Sequence, residues 1–444
     1  MAVTWLRGLL ARVDAVSQAH STTPVPPEQQ VAGYRIALVC IAIAFTLTGL
    51  YTGSELALAL GLKLGIRATV LGSIILAVMS VPAAMVGAQT RLSTYMVVLH
   101  VFGRTGSRFV NLVLALVLLG WYAVTAELFG RTCYLTVGGY FPSLALPQWI
   151  YTVACCAIVV ATTIYGFRAI ERLSLAVAPL LVVLTGFVAW RALQHAPWSQ
   201  LMSVPGTQVD LGRGISAVIG GLVVNVVLMP DITRYARSTF DCALISITGN
   251  GIGGGAALIL AMLPALAFGE QDPMKYMIVL GLTGIAFTTL VLSTWSINVV
   301  NLYSTGLVTS TALRKLSYGR IVIGCGVVGT VVAVIGIADS LIDFLVLLGL
   351  IVPPVAAVYL TDFFLFGRRD YAGVHEVAPS DTTNVSGVLG CTAGTIIGIT
   401  TYFSHHSLTG IPTIEAFVSA SLVYGLLEKL RALGKRDRGW QPLA

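Results

Sequence analysis

The sequence predicts an all-α polytopic membrane protein with twelve spans, and three observations carry that reading. Only 10% of the 444 residues are charged, whereas 56% are hydrophobic. A soluble globule of this length needs a polar exterior that such a composition cannot supply. The charges are also confined to the seams between long apolar runs. Ile36–Leu62 holds one charged side chain, Glu55; Ile66–Gln89 holds Arg67 at its edge; Leu146–Tyr165 holds none. About 20 apolar residues in a helix cover the hydrocarbon core of a bilayer, so each run is long enough to cross. The third observation is the side on which the basic residues fall once those runs are threaded through a bilayer.

The spans are placed at 34–62, 66–90, 107–134, 146–165, 168–193, 213–236, 239–269, 274–307, 319–339, 341–366, 385–404 and 412–433. With the N-terminus in the cytoplasm, all but six of the 26 basic residues fall on the cytoplasmic side. The six are Lys63, Arg67, Arg131, Arg191, Arg213 and Lys275. That asymmetry is what the positive-inside rule expects, and one span more or fewer would spoil it downstream. Both termini are therefore expected in the cytoplasm. The net charge of +7 reports orientation, since no soluble basic face for a nucleic acid exists. Residues 1–33 read as a cytoplasmic tail in which Leu6–Val16 forms either a short interfacial helix or irregular chain. They lack the apolar stretch of a signal peptide, so the first span serves as the insertion signal. Residues 434–444 form the other tail. The seven cysteines fall mostly inside spans without metal-ligand spacing, which favours packing over chemistry.

Taken in chain order, several spans carry features beyond apolarity. Span 1 contains Thr48-Gly49-Leu50-Tyr51-Thr52-Gly53-Ser54-Glu55, where two glycines and several hydroxyls weaken the helix. Span 3 has Trp121 at mid-depth, between Leu118-Leu119 and Val124, and places Glu127 four residues before Arg131, the spacing of an intrahelical ion pair. Span 6 carries Gly220-Gly221, Asn225 and then Met229-Pro230-Asp231; the proline removes a donor and should stop or kink the helix. Span 8 holds Ser293, Thr294, Ser296, Asn298 and Asn301. Interruptions near Gly49 and Gly53 in span 1 and near Pro230 and Asp231 in span 6 would fall in the first helix of two five-span halves. That is the pattern of an inverted repeat with a binding site between its breaks; the alternative is that the glycines only permit close helix packing.

Three stretches resemble one known family. Ile351-Val352-Pro353-Pro354-Val355 leads through Tyr359-Leu360-Thr361-Asp362-Phe363 to Arg368-Arg369-Asp370-Tyr371, which is similar to the tenth-span signature of bacterial cytosine permeases in the nucleobase:cation symporter-1 family. Pro230-Asp231-Ile232-Thr233-Arg234-Tyr235 resembles that family's end of span 6, and Gly120-Trp121-Tyr122 with Trp295-Ser296-Ile297-Asn298 fits the same pattern. The resemblance runs from about Ala32 to Leu433. It implies a leucine-transporter-like fold: a ten-helix core at 34–369 with inverted halves at about 34–193 and 213–366, then a loop and two peripheral helices within 370–433. It also implies a secondary transporter that imports a nucleobase or related small planar heterocycle by symport with Na+ or H+ through alternating access in a bacterial inner membrane. No cofactor and no obligate protein partner are expected beyond the heterocycle, the coupling ion and the lipid bilayer.

The resemblance assigns Trp121 as the stacking wall, although a membrane tryptophan also serves as an interface anchor. Where cytosine permeases carry a glutamine, this chain has Leu118; where they carry an aromatic and a serine on span 6, it has Leu222 and Val224. A pocket for cytosine should keep buried polar partners for the ring, so a methylated pyrimidine, a purine or another less polar heterocycle fits better. Asn225, Asn298, Asn301, Ser293, Thr294 and Ser296 remain as candidate polar substrate contacts, with Asn298 the preferred amide and helix–helix bonding the alternative for each. The family's sodium site uses backbone around Ala42 and Phe45 with hydroxyls on span 8. Ser296 keeps one hydroxyl and Ile297 replaces the other, with Ser293 able to substitute. A hard cation wants about six oxygens, so unless Thr46, Thr294 or water also completes the shell, sodium coupling is weak or absent. Glu55 then reads as a substrate acceptor, a coupling-proton carrier or a solvated vestibule residue.

An enzyme is not expected: the six histidines are mostly in loops and tails, with no zincin, triad or phosphate-loop pattern. A channel would need charge rings or a carbonyl filter. The rival readings are a same-fold transporter for an amino acid or amine, and a non-transporting sensor.

Overall fold

The computed structural model describes residues 25–438 except 27, 29, 145, 166, 208–209, 313–315, 367–382 and 405. The tail with Leu6–Val16, the Arg368-Arg369 segment and the last six residues lie outside the described residues. Among the described residues the chain is helical, and seven helices are long and apolar enough to cross a membrane. Two further apolar helices, Gln148–Ile164 and Leu211–Val227, are shorter, and span 1 is split between a short helix and Leu47–Thr90, which also carries span 2.

Span 1 is split. Helix α1 (Gly33–Ala44) ends at Phe45, and α2 (Leu47–Thr90) starts after Thr46, whose side chain caps it by accepting from Gly49 N at 3.2 Å. The interruption lies at Phe45–Thr46, and Gly49 and Gly53 are both helical; the expected break in the Thr48–Glu55 stretch is corrected by about one turn. A hydroxyl N-cap rather than glycine sets the restart, because Thr46 satisfies a backbone donor that the new helix leaves open. Gly49 still serves the break, since a Cβ there would meet Ala44 O at 2.6 Å. Gly53 serves packing: its Cβ would meet Leu258 O at 2.5 Å. Helix α2 continues through span 2 by way of a kink at Gly61 (φ 71°).

Helix α3 (Thr94–Tyr140) joins the segment before span 3 to that span through a kink at Gly103 (φ 73°). Helices α4 (Gln148–Tyr165) and α5 (Phe167–His195) complete the first half, and the short α6 (Trp198–Ser203) leads out of it. Span 6 mirrors span 1. Helix α7 (Leu211–Val227) stops at Leu228 and α8 (Met229–Thr233) resumes with Pro230 in its first turn, where a missing N–H costs nothing. Span 7 runs from α9 (Thr239–Ile245) through a π-helical stretch, Ser246–Gly253, into α10 (Gly254–Phe268). After the outer helix α11 (Pro273–Val279) come α12 (Thr283–Ala312) and α13 (Tyr318–Ile335). Span 10 is bent at Val352, between α14 (Leu341–Ile351) and α15 (Pro353–Leu365). Helices α16 (Val385–Ser404) and α17 (Pro412–Arg438) pack on each other at the edge.

Close backbone contact joins the halves around the breaks. Span 8 lies along span 3, span 7 along span 1, and α7 along α14. A Cβ on Gly220 would fall 1.7 Å from Leu345 O, so spans 6 and 10 approach as only glycine permits. Asp362 is fully buried and accepts from Tyr424 OH at 2.5 Å, tying α15 to α17. The seven cysteines are free thiols; Cys133 and Cys155 lie 3.9 Å apart, sulfur to sulfur, between spans 3 and 4.

Candidate functional site

The two interruptions meet at a cavity of about 390 Å³, inside the range of roughly 300–1,000 Å³ typical of small-molecule sites. Its floor and one wall come from the restart of span 1, with Thr46, Thr48, Gly49 and Thr52. The Thr46 and Thr48 hydroxyls lie 2.9 Å apart. The first N–H groups of α2 have no partner in their own helix, so this positive helix end favours electron-rich ligand atoms. Span 3 supplies Leu118, Trp121 and Thr125, three residues one turn apart on a single face. Span 6 adds Leu222, Val224, Asn225 and, past the break, Asp231. Span 8 closes the opposite side with Ile297, Asn301 and Ser304.

The apolar share of this lining is fixed in place. Trp121 is half-buried and meets the edge of Phe344 on α14, ring centroids 5.5 Å apart and planes at 81°. Gly120 makes that contact possible, because a Cβ there would lie 2.7 Å from the Phe344 ring. Thr125 turns its hydroxyl back to Trp121 O at 2.5 Å, leaving a methyl for the cavity. Leu118, Leu222 and Val224 all line the space, so the apolar positions expected to differ from the cytosine permeases face the cavity.

Several expected site residues lie elsewhere. Asn298 is fully buried and outside the cavity: oriented for its partners, its amide donates to Tyr122 O and accepts from Ala126 N, both at 3.1 Å. It clamps span 8 to span 3, and Asn301, one turn on, is the amide that faces the space. Ile297, Asn301 and Ser304 follow the i, i+4, i+7 spacing of one helix face, a signal that singles them out from Asn298. Ser293 is buried outside the cavity lining. Glu55 lies beyond the cavity, a turn further out than Thr52, and takes a hydrogen bond from Gln271 Nε2. The expected Glu127–Arg131 ion pair is replaced by longer-range partners: Arg131 reaches Asp339 at 3.5 Å and Asp272 at 3.8 Å, while Glu127 accepts from Ala338 N at 2.8 Å. Asp231 touches the cavity and accepts from Thr94 N at 2.8 Å, fastening α8 to the start of α3. Thr48, Thr52, Thr125, Ser304 and Phe344 are the site residues that sequence reasoning did not single out.

For a coupling cation the available oxygens are few. The last carbonyls of α1, Ile41 to Ala44, have no partner within their own helix, and the negative end of its dipole lies there. Ser296 is buried with its hydroxyl unpartnered, whereas Ile297 adds no oxygen. No group of three or more His, Cys, Asp or Glu side chains suited to a metal ion occurs among the described residues.

Comparison with known proteins places this arrangement. Residues 24–425 match the family described as permease for cytosine/purines, uracil, thiamine, allantoin. The chain belongs to that permease family. It is a membrane transporter, not an enzyme. It is 25% identical to the cytosine permease of Escherichia coli O157:H7 over 418 residues, 92% of this chain and 94% of the relative. It is 28% identical to the hydantoin permease of Microbacterium maritypicum over 248 residues, half of each chain. Among solved structures it is similar to the inward-facing conformation of Mhp1, with a TM-score of 0.79 at 17% identity over 96% of this chain and 99% of that one. The closed Mhp1 with bromovinylhydantoin bound gives 0.76 at 20% identity over 93% and 96%. A Na+-coupled sialic acid symporter gives 0.62 at 14% over 96% of each. These likenesses fix the fold as leucine-transporter-like.

Proposed function

We propose that the protein imports a small planar nitrogen heterocycle of the nucleobase class by symport with a cation, presenting the cavity alternately to the two sides of a bacterial inner membrane, with both termini in the cytoplasm. The observation that carries this reading is the cavity between the two interrupted helices, walled by Trp121 and rimmed by Thr48, Thr52, Asn225 and Asn301. A flat indole face offers a planar base about 1–3 kcal/mol of stacking, and the rim provides enough polar groups to orient one edge of a ring. The curated relatives that are permeases for cytosine and for hydantoin support the same class.

Cytosine is not the preferred substrate in this reading. Leu118, Leu222 and Val224 give a polar ring no hydrogen-bond partner, and unpaired ring donors in a closed site are costly. A base or hydantoin with an apolar substituent matches this wall. The test is a thermal-shift panel on purified protein with pyrimidines, purines, hydantoins and thiamine-precursor pyrimidines, in sodium or choline chloride, followed by counterflow of any hit in proteoliposomes. A ligand specific for the folded state raises the melting temperature by mass action. Stabilisation by alkylated rings over cytosine is the expected result. A response to amino acids or amines but to no planar ring would overturn the assignment, and binding without counterflow would point to a sensor.

A further inference from the structure

A ring of charged groups covers the outer end of the cavity. Thr52 and Thr125 line the cavity, while Glu55 follows three residues further out on span 1 and Arg131 six residues further out on span 3. At 1.5 Å per residue these steps are about 4.5 Å and 9 Å. Tyr51 and Glu55 share one face of α2, and Glu127 and Arg131 share one face of α3. Arg131 Nη1 donates to Tyr51 OH at 3.0 Å, and its other nitrogens reach Asp339 and Asp272. Glu127 holds the Ala338 N–H, and Gln271 holds Glu55. One network thus joins span 1, span 3, the loop between spans 7 and 8, and the entry to span 10.

The charges in this network do not balance. Four carboxylates, Glu55, Glu127, Asp272 and Asp339, share one guanidinium, while the nearby Lys275 pairs with Glu270 at 3.1 Å. Water carries part of the charge of Asp339, which is 69% exposed. Glu127 and Asp272 are buried, but each accepts a backbone N–H, from Ala338 and from Met274. Burial in the loop nevertheless pushes the Asp272 carboxyl above the usual aspartate range, against the pull of the Met274 N–H and Arg131. Glu55 is the half-buried member whose hydrogen-bond partner is a neutral amide, the Gln271 Nε2 that donates to its carboxylate. Taking surplus carboxylates out of water favours the protonated form.

We propose that this network is the outer gate of the permease and that Glu55 binds a proton as the gate closes. The inference rests on the transport reading above and adds a proton site to it. Opening would part span 1, the α11 loop and the entry of span 10 from Arg131, return the carboxylates to water and release the proton. The titratable and charged groups on the elements packed around Glu55 are Tyr51 on its own helix, Glu127 and Arg131 on span 3, Glu270, Asp272, Lys275 and Tyr276 from the α11 loop, and Asp339 before span 10; Tyr51, Arg131 and Asp339 act on it directly. Because the closed state holds the extra proton, falling pH favours closure and rising pH favours opening. One linked proton changes the open-to-closed ratio by at most tenfold per pH unit.

The test reads accessibility of the cavity and needs no substrate. Thr52→Cys in right-side-out vesicles is labelled from outside with a membrane-impermeant maleimide, from mildly acidic to mildly alkaline pH. Protein without the added cysteine corrects for native thiols, and the ratio to the Glu55→Gln background at each pH cancels the reagent's own pH dependence. The expected ratio changes with pH by severalfold, up to tenfold per unit, with outside labelling rising as pH rises. Glu127→Gln, which keeps an acceptor for the Ala338 N–H, should preserve that dependence, and Arg131→Gln should raise labelling at every pH. If Glu55→Gln does not assemble, Gln271→Leu should move the midpoint to higher pH by removing a donor to the carboxylate. Parallel profiles with and without Glu55, an unmoved midpoint in Gln271→Leu, or loss of the dependence in Glu127→Gln instead would each overturn the assignment. A flat labelling profile would leave the transport reading intact, whereas failure of every heterocycle in counterflow would sink that reading without touching the labelling result.

Discussion

At the scale of single residues, Trp121 and Asn298 separate ligand binding from helix packing. Both are span residues capable of touching a base, yet only Trp121 faces the cavity, braced by Phe344. Trp121→Ala should weaken binding of any heterocycle found in the panel by roughly 5- to 150-fold, the loss of about 1–3 kcal/mol of stacking, with Trp121→Phe losing less. Calorimetric titration of the purified variants measures it. Asn298→Ala should leave affinity nearly unchanged and lower the melting temperature, because it removes a clamp worth about 1 kcal/mol between spans 8 and 3. The opposite pattern would return Asn298 to the binding site. The sequence shows that span 8 carries amides but not which one looks inward, since a single 100° step around the helix separates a lining residue from a packing one.

At the scale of elements, the breaks in spans 1 and 6 were legible as regions and only partly as positions. Pro230 announces the second interruption within two residues, because a missing donor is a local property of the chain. The first depends on Thr46 capping a new helix, and Gly49 and Gly53, the more conspicuous residues, answer to neighbours far away in sequence. The paired glycines of span 6 allow a sharp comparison. Gly220→Ala would drive a Cβ to 1.7 Å from Leu345 O, whereas the same change at Gly221 meets only Leu345 Cδ2 at 3.9 Å. Gly220→Ala should therefore cost about 1–3 kcal/mol or more by overpacking, while Gly221→Ala stays close to the parent in thermal unfolding. Equal stability of the two variants would mean that spans 6 and 10 have room to separate.

At the scale of the whole molecule, membrane class, span placement and the two-half architecture follow from apolar runs and the charges at their seams, which are local sums over many residues. The cavity wall at Phe344 and the joining of Arg131 to Asp272 and Asp339 bring together residues more than a hundred positions apart, and no periodicity reports them. The coupling ion is also a property of the whole, because sodium would need oxygens from α1 and from span 8 together. Those expected from the resemblance are the terminal carbonyls of α1 and the Ser296 hydroxyl, and Ile297 offers no oxygen beside them. Replacing sodium by choline should therefore leave the melting temperature of the parent protein almost unchanged. Ile297→Thr supplies the missing oxygen and should make stability sodium-dependent, by about 2.7 kcal/mol when sodium is present at a hundred times its dissociation constant. The comparison is a thermal scan of both proteins across sodium concentrations at constant ionic strength and pH. Strong sodium stabilisation of the parent would show that water or another residue completes the shell, and proton coupling through Glu55 would then no longer be needed to drive uptake.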